Sequence, residues 1–467
     1  MKIRHEILII LLSIAFLIPL AANPGFFNND ELQITDYIYR TGFWQFIKDF
    51  GMFHVGSQFS VPSRPFAFII QGIQGLFMYN APLVSHFIDI IIHIACALVL
   101  FRVIVYISKN KNFAFISSVI FIISPLVLFS VGWTAALMDR LYTLFSLIIV
   151  YYSFKYLNRE GLDQKNLLII LVAIFLAIAS KETSIIIPAL VFLTILWNNF
   201  DEKIKIFRKR NIVLFLFSLV PIVLYIIYRL PSLIGSFSVV SGPYVPSFSN
   251  IIPNALAYWS YPFLPFTAEA TNMFLLTNKY LIGAAFILHA LLALFIFKEC
   301  KYKNGIFYIL LYFLPLAPII MLPSQQSIYL YASAAVFSVA IAFLFIKTYE
   351  QKFKITYLFF LSLMIGVVLI IHAYSIEKNL YSYGVCMNKA LVSMESVYLH
   401  NNKINSLVIH SDKGAPKYIM DRITYQRINI EKYFPVTLKS VGDHLNSQSY
   451  IDNDSIHLHF SASCYVY

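Results

Sequence analysis

Long apolar runs separated by short basic clusters organise this chain, and together they predict a bundle of membrane-spanning helices. A spanning helix needs about 20 mostly apolar residues, and lipid offers no partner to an open strand edge, so the runs read as helices rather than strands. Basic residues gather at Arg102/Lys109/Lys111, Lys155/Arg159/Lys165, residues 203–210, Lys298/Lys301/Lys303 and Lys347/Lys352/Lys354, which marks those loops as cytoplasmic. Residues 112–156 and 166–197 have basic flanks at both ends, so each is predicted to be a hairpin of two spans. Their external tips fall at residues 133–140 and 181–183. Runs at 7–22, 82–107, 211–229, 280–297, 305–322, 328–346 and 355–374 bring the total to about 11 transmembrane helices, with the N-terminus cytoplasmic. Lys2 and Arg4 ahead of an apolar run also resemble a signal peptide, but the later topology requires a retained first span that starts inside.

Three external segments interrupt the pattern. Residues 23–80 form a long first loop, in which 43–50 and 65–79 read as amphipathic helices lying on the membrane surface. Residues 231–278 are rich in Pro and aromatics, as interfacial segments are. From residue 375 hydrophobicity falls, with strand-like runs at 406–410 and 455–460 and a helix-like stretch at 389–399. The expected organisation is therefore an all-α polytopic membrane domain over residues 1–374, followed by a small α+β soluble C-terminal domain over 375–467 on the external side. Cys386 and Cys464 fall in that domain and are candidates for a disulfide. Cys96 lies in a span and Cys300 at a cytoplasmic end.

Composition supports the same class: 59% of residues are hydrophobic and only 12% charged, unlike a water-soluble domain. The net charge of +12 would suggest nucleic acid in a soluble protein, but the Lys and Arg residues sit in short loops, so topology accounts for them and no nucleic-acid partner is implied. The sequence holds no phosphate-cradling glycine loop, nucleophile elbow or nucleotide fingerprint. That argues against a cytoplasmic site driven by ATP or fed by nucleotide sugars.

Charged side chains in or near a bilayer are costly, so those at the external span ends are the informative ones: Asp30, Glu31, Arg64, Asp89, Asp139, Arg140, Lys181 and Glu182. A carboxylate within hydrogen-bond reach of an acceptor hydroxyl can take its proton, and Asp30, just after the first span, is placed for that. A lipid-phosphate leaving group needs cations to balance its charge, and Arg64, Arg140 and Lys181 are predicted on the same side. Glu31 orients one of these cations. His86, Asp89 and His93 share a helical face, where hydrogen bonding inside the bundle is preferred over metal ligation, because the His spacing is wide for zinc. No metal site is assigned. Adjacent carboxylates could hold a divalent ion, yet a monophosphate donor can be managed by Arg and Lys alone.

The order of these motifs resembles the GT-C class of membrane glycosyltransferases. The match runs through Asn29-Asp30-Glu31, Ser63-Arg64-Pro65, His86-Phe87-Ile88-Asp89 with His93, residues 125–140, Ser180-Lys181-Glu182 and a fainter Tyr329-Leu330-Tyr331. It resembles the protein O-mannosyltransferases over about the first 200 residues and more weakly over about the next 150, and departs from them at Asp89, where relatives usually have Asn, and at Ile328, where a basic residue is expected. The compact tail is more similar to bacterial serotype-converting O-antigen glucosyltransferases. The resemblance implies a GT-C fold in the bacterial inner membrane with a periplasmic tail. It also implies a polyprenyl-phosphate (undecaprenyl-phosphate) sugar donor, an O-antigen-like glycan acceptor on lipopolysaccharide, surrounding membrane lipids, and a donor synthase and a flippase as co-workers. Asp30 would act as base with Glu31 as its companion, Arg64, Arg140 and Lys181 would hold the donor phosphate, and His86, Asp89, His93, Asp139 and Glu182 would support them.

Two other classes remain open at the level of sequence. A transporter or flippase of a lipid-linked glycan would show internal repeats and mid-membrane helix breaks, whereas here the charges gather at one face. An oligosaccharide polymerase or ligase, or a protein O-glycosyltransferase, would keep the enzyme class and change the group transferred or the acceptor.

Overall fold

The structure, a computed structural model, describes residues 4–25, 31, 34–35, 37–38, 41–51, 64–78, 81–159, 161–200, 207–237, 246–265, 279–300, 302–350, 356–400, 406–411, 437–441 and 455–460. It is mostly helical. The first half carries α1 (His5–Ala21), α2 (Phe43–Phe50), α3 (Pro65–Phe77), α4 (Pro82–Ser108), α5 (Lys111–Ile123), α6 (Pro125–Gly132), α7 (Leu137–Leu157), α8 (Gln164–Ile178) and α9 (Ile187–Asn198). The second half carries α10 (Lys209–Phe237), α11 (Ile251–Ser260), α12 (Lys279–Glu299), α13 (Tyr302–Phe313), α14 (Tyr331–Glu350) and α15 (Thr356–His400). Among the described residues six helices are long and apolar enough to cross a membrane, and α5 with α6, bent by 53°, makes a seventh candidate. The apolar helices at His5–Ala21, Gln164–Ile178 and Glu182–Asn198 are shorter. Outward-facing Leu168, Leu224, Ile227, Leu294 and Ile370 are largely exposed, which suits lipid rather than water as their neighbour. The chain is thus a multi-pass membrane protein.

Local chemistry sets the helix boundaries. Lys109 adopts a left-handed conformation (φ 57°) that ends α4, and the Asn110 side chain accepts from the Phe113 N–H at 3.0 Å to start α5, making a tight helical hairpin. The Ser124 hydroxyl accepts from the Leu126 N–H, and Pro125 takes the first position of α6, where its missing N–H costs nothing. All eight residues of α6 are buried, so the first leg of the expected 112–156 hairpin breaks and turns into the protein interior. One apolar core joins α1, α4, α5, α6 and α11 to α15. A second joins α3 and α7 to α10 through residues such as Ile149, Ile174, Val191 and Leu214.

Three elements differ from the sequence expectation. The predicted span at 305–322 is helical only through Phe313, because Pro315 and Pro318 remove N–H donors and turn the chain through a 3-10 turn at Leu314–Leu316. The segment after that turn is held by α11: Asn254 Nδ2 donates to the carbonyls of Ile320 and Leu322 at 2.7 Å. The surface helix expected at 65–79 is half embedded, with Gln71 and Gln74 buried, while Ile73, Leu76 and Phe77 stay exposed. The helix-like stretch at 389–399 is no separate element, since α15 runs unbroken for 45 residues. At 1.5 Å per residue α15 is about 68 Å long, more than twice an apolar bilayer core, so it must project beyond the membrane.

Beyond α15, β1 (Ser406–Ser411) pairs in parallel with β2 (Thr437–Val441) and β3 (Ser455–Phe460), in the order β2-β1-β3. Cys386 is buried on α15, Cys96 and Cys300 carry free thiols, and Cys464 lies outside the described residues.

The first loop is anchored before it reaches the site. Asn23 Nδ2 donates to the Leu380 carbonyl of α15 at 3.1 Å, and its Oδ1 accepts from the Gly25 N–H at 3.1 Å. A Cβ on Gly25 would collide with the Gly384 backbone, whereas one on Gly283 of α12 would meet open space. Gly25→Ala should therefore destabilise the protein by about 1–3 kcal/mol, while Gly283→Ala should be neutral or mildly stabilising. Thermal unfolding of the two variants in detergent checks this.

Candidate active site

Three consecutive residues at the head of α7 hold the charged side chains together. Met138 Sδ accepts from Arg64 Nη1, Asp139 pairs with Lys181, and Arg140 pairs with Asp89. Successive helical residues point about 100° apart, so a single turn of α7 reaches three different elements. Those elements are the start of α3, the turn after α8, and α4.

The Asp89–Arg140 pair is the most deeply placed. Arg140 Nη2 lies 2.5 Å from Asp89 Oδ1, and both side chains are 0% exposed. A buried carboxylate costs least when its remaining lone pairs are met. Gln74 Nε2 donates to the same Asp89 oxygen at 2.7 Å, and Thr134 Oγ1 donates to the other at 2.9 Å. Gln74 and Ser85 then exchange hydrogen bonds through each other's backbone carbonyls at 3.1 and 2.8 Å, which fixes α3 against α4.

Thr134 passes the network onward to the first loop. Its backbone N–H donates to Glu31 Oε1 at 2.7 Å, and Glu31 is 1% exposed. The Glu31 carboxylate therefore braces the 3-10 turn Thr134–Ala136 at the head of α7. Asp30, its sequence neighbour and the expected base, lies outside the described residues.

The other two cations are less completely sealed, with side-chain exposures of 23% at Arg64 and 7% at Lys181. Lys181 Nζ pairs with Asp139 and lies 4.8 Å from the centre of the Tyr329 ring. Burial pushes the Lys181 pKa down from the ordinary lysine range, and the Asp139 charge opposes that shift. Arg64 Nε donates to both Glu182 oxygens at 2.9 and 2.8 Å, with 23% and 31% of the two side chains exposed. The Phe66 N–H donates to the Ala179 carbonyl at 2.9 Å, which docks the start of α3 on the end of α8 and puts Arg64 beside Glu182.

Arg64, Arg140 and Lys181 were each expected to meet a phosphate. Each has a carboxylate partner, and their exposure differs: Arg64 is the most open, while Arg140 is sealed in the interior and pairs with Asp89. His86 and His93 share the buried face of α4 with Asp89, as their spacing predicts. His86 Nε2 meets the Gly25 carbonyl at 3.3 Å, and His93 Nδ1 meets the Tyr331 hydroxyl at 2.6 Å. These contacts tie α4 to the first loop and to α14. Among the described residues no group of three or more His, Cys, Asp or Glu could hold a metal ion.

Gln74 and Thr134 belong to the site and were not singled out from sequence. Gln71 and Gln74, two amides one turn apart in an otherwise apolar helix, were the available signal. In the first loop the Tyr37 hydroxyl donates to Asp49 Oδ2 at 2.5 Å, and that bond, with burial, pushes its pKa up to about 12.

Gln74→Leu keeps the shape and removes the amide donor to Asp89. It should lower stability by about 1–3 kcal/mol through a less satisfied buried carboxylate. Thermal unfolding against Gln71→Leu, whose amide donates to the Ala135 carbonyl at 3.3 Å, provides the comparison.

No family model and no curated protein matches the chain. Among solved structures it is similar to the oligosaccharyltransferase of Archaeoglobus fulgidus tethered to an acceptor peptide, at 15% identity and a TM-score of 0.48 over 87% of this chain and 61% of that one. It is also similar to ArnT of Cupriavidus metallidurans bound to undecaprenyl phosphate, at 10% identity and a TM-score of 0.48 over 94% and 86%. The chain thus spans about three fifths of the archaeal protein's length. Likeness at this level carries no functional statement, and what the chain does rests on its own residues.

Proposed function

We propose that this chain is a membrane glycosyltransferase that takes a single sugar, glucose as the specific choice, from a polyprenyl-phosphate donor. The acceptor is a surface glycan such as lipopolysaccharide O-antigen, on the periplasmic face of a bacterial inner membrane. The observation that carries the reading is the convergence of Glu31, Asp89, Asp139 and Glu182 with Arg64, Arg140 and Lys181 at one end of the bundle, beside the loop that holds Asp30. The motif order read from the sequence supports the same assignment.

In this reading the donor phosphate meets Arg64 and Lys181, the two of the three paired cations that are not fully sealed. They balance the charge that grows on the phosphate as the glycosidic bond breaks. Glu182 and Asp139 hold them in place, while Arg140 keeps Asp89 and the head of α7 in register from within. Asp30, the sequence neighbour of the braced Glu31, takes the proton from the acceptor hydroxyl as that oxygen attacks the anomeric carbon. Direct displacement inverts the sugar. The bridge between Cys386 and Cys464 is part of the same proposal for the tail.

The test uses the purified full-length chain, a radiolabelled polyprenyl-phosphate hexose and an isolated O-antigen acceptor. Label should appear on the acceptor, and Asp30→Asn should cut the rate by about 10²–10⁴-fold while thermal stability stays unchanged. Label that crosses the bilayer still attached to its lipid would indicate a flippase, and an Asp30→Asn variant working at the normal rate would remove Asp30 from the mechanism.

A further inference from the structure

A second binding feature lies at the opposite end of the bundle. A cavity of about 370 Å³ is lined by Arg4, Arg102, Lys111, Tyr106 and Tyr151, with His5, Glu6, Phe101 and Val105 completing its wall. On α4 it is far from the candidate active site: sixteen residues separate Asp89 from Val105, or about 24 Å along the helix. Its volume falls within the range of small-ligand pockets, about 300–1,000 Å³.

The charge around it is one-sided. Three cations line the wall against one carboxylate, Glu6, and among the described residues none of the three forms an ion pair. Two more cations rest on the lining rings, with Lys109 Nζ 4.4 Å from the Tyr106 ring centre and Lys155 Nζ 4.6 Å from that of Tyr151. The two rings pack edge to face, with centroids 5.9 Å apart, and His5 stacks on Phe101. A cytoplasmic bias of Lys and Arg explains why cations occur at this end. Arg4, Arg102 and Lys111 are exposed, so a headgroup can reach them, and they gather with the rings of His5, Phe101, Tyr106 and Tyr151 around one concavity.

Exposed apolar side chains occur on the same two helices. Ile7 and Leu11 on α1 and Ile107 on α4 are 48%, 54% and 40% exposed. These positions offer acyl chains a path beside a phosphate held by the cations.

We propose that this cavity binds the phosphate headgroup of an anionic phospholipid from the leaflet on that side. Arg102, Lys111 and Arg4 contact the phosphate, and Ile7, Leu11 and Ile107 lie along the chains. The site is independent of the proposed transferase reaction.

The test is a thermal-shift titration of the full-length chain in neutral detergent with short-chain phosphatidylglycerol, phosphatidylcholine or inorganic phosphate. Phosphatidylglycerol should raise the midpoint saturably, and the other two should not. In Arg102→Gln/Lys111→Gln the apparent affinity should fall about tenfold or more, while Arg208→Gln/Lys209→Gln, which neutralises another basic loop, keeps the full response. Arg4→Gln, with a smaller loss expected, serves if the double variant does not fold. An equal phosphatidylglycerol response in wild type and the cavity variants overturns the proposal. A response to inorganic phosphate equal to that of the lipid overturns the lipid source and assigns the cavity to soluble phosphate esters.

Discussion

The buried contact between Asp89 and Arg140 is the constraint on which the rest of the site depends. Taking a carboxylate and a guanidinium out of water is expensive, and the interior repays it only where geometry and further hydrogen bonds are good. Here Gln74 and Thr134 complete the carboxylate's shell, and each belongs to a different element. Satisfying one ion pair therefore fixes α3, α4, the Thr134–Ala136 turn and α7 against one another. The brace from Thr134 to Glu31 then extends that order to the first loop.

The same logic distributes charge over the head of α7. Asp139 and Arg140 are adjacent in sequence and opposite in sign, and each is neutralised by a residue from elsewhere in the chain. Arg64 and Glu182 close the third pair at the more open edge. Exposure falls from Arg64 to Lys181 to Arg140, so the three cations that sequence groups together differ in depth, from partly open to fully sealed. A phosphate arriving at Arg64 and Lys181 would compete with their carboxylates, which keeps these cations charged and oriented before the ligand is present.

Much of the architecture was legible in the sequence because lipid imposes simple rules. Apolar length and basic flanks located the helices of both expected hairpins, and residue spacing put His86, Asp89 and His93 on one buried face. What escaped was tertiary. The Ser124-Pro125 bend sends α6 inward, and a hydropathy pattern shows its apolar residues but not that direction. Pro315 and Pro318 ended a run whose hydrophobicity alone suggested a full span. The length of α15 was hidden because its polar second half resembles a soluble segment. The partners of Arg64, Arg140 and Lys181 were invisible, since the pairs join residues 118, 51 and 42 positions apart.

A double-mutant cycle on Asp89 and Arg140, read by thermal and denaturant unfolding in detergent, tests the central claim most directly. Asp89→Leu and Arg140→Leu alone should each cost about 3–5 kcal/mol by stranding a buried charge, and the double variant should cost far less than their sum. Additive losses would mean that the two side chains do not depend on each other, and would contradict the account.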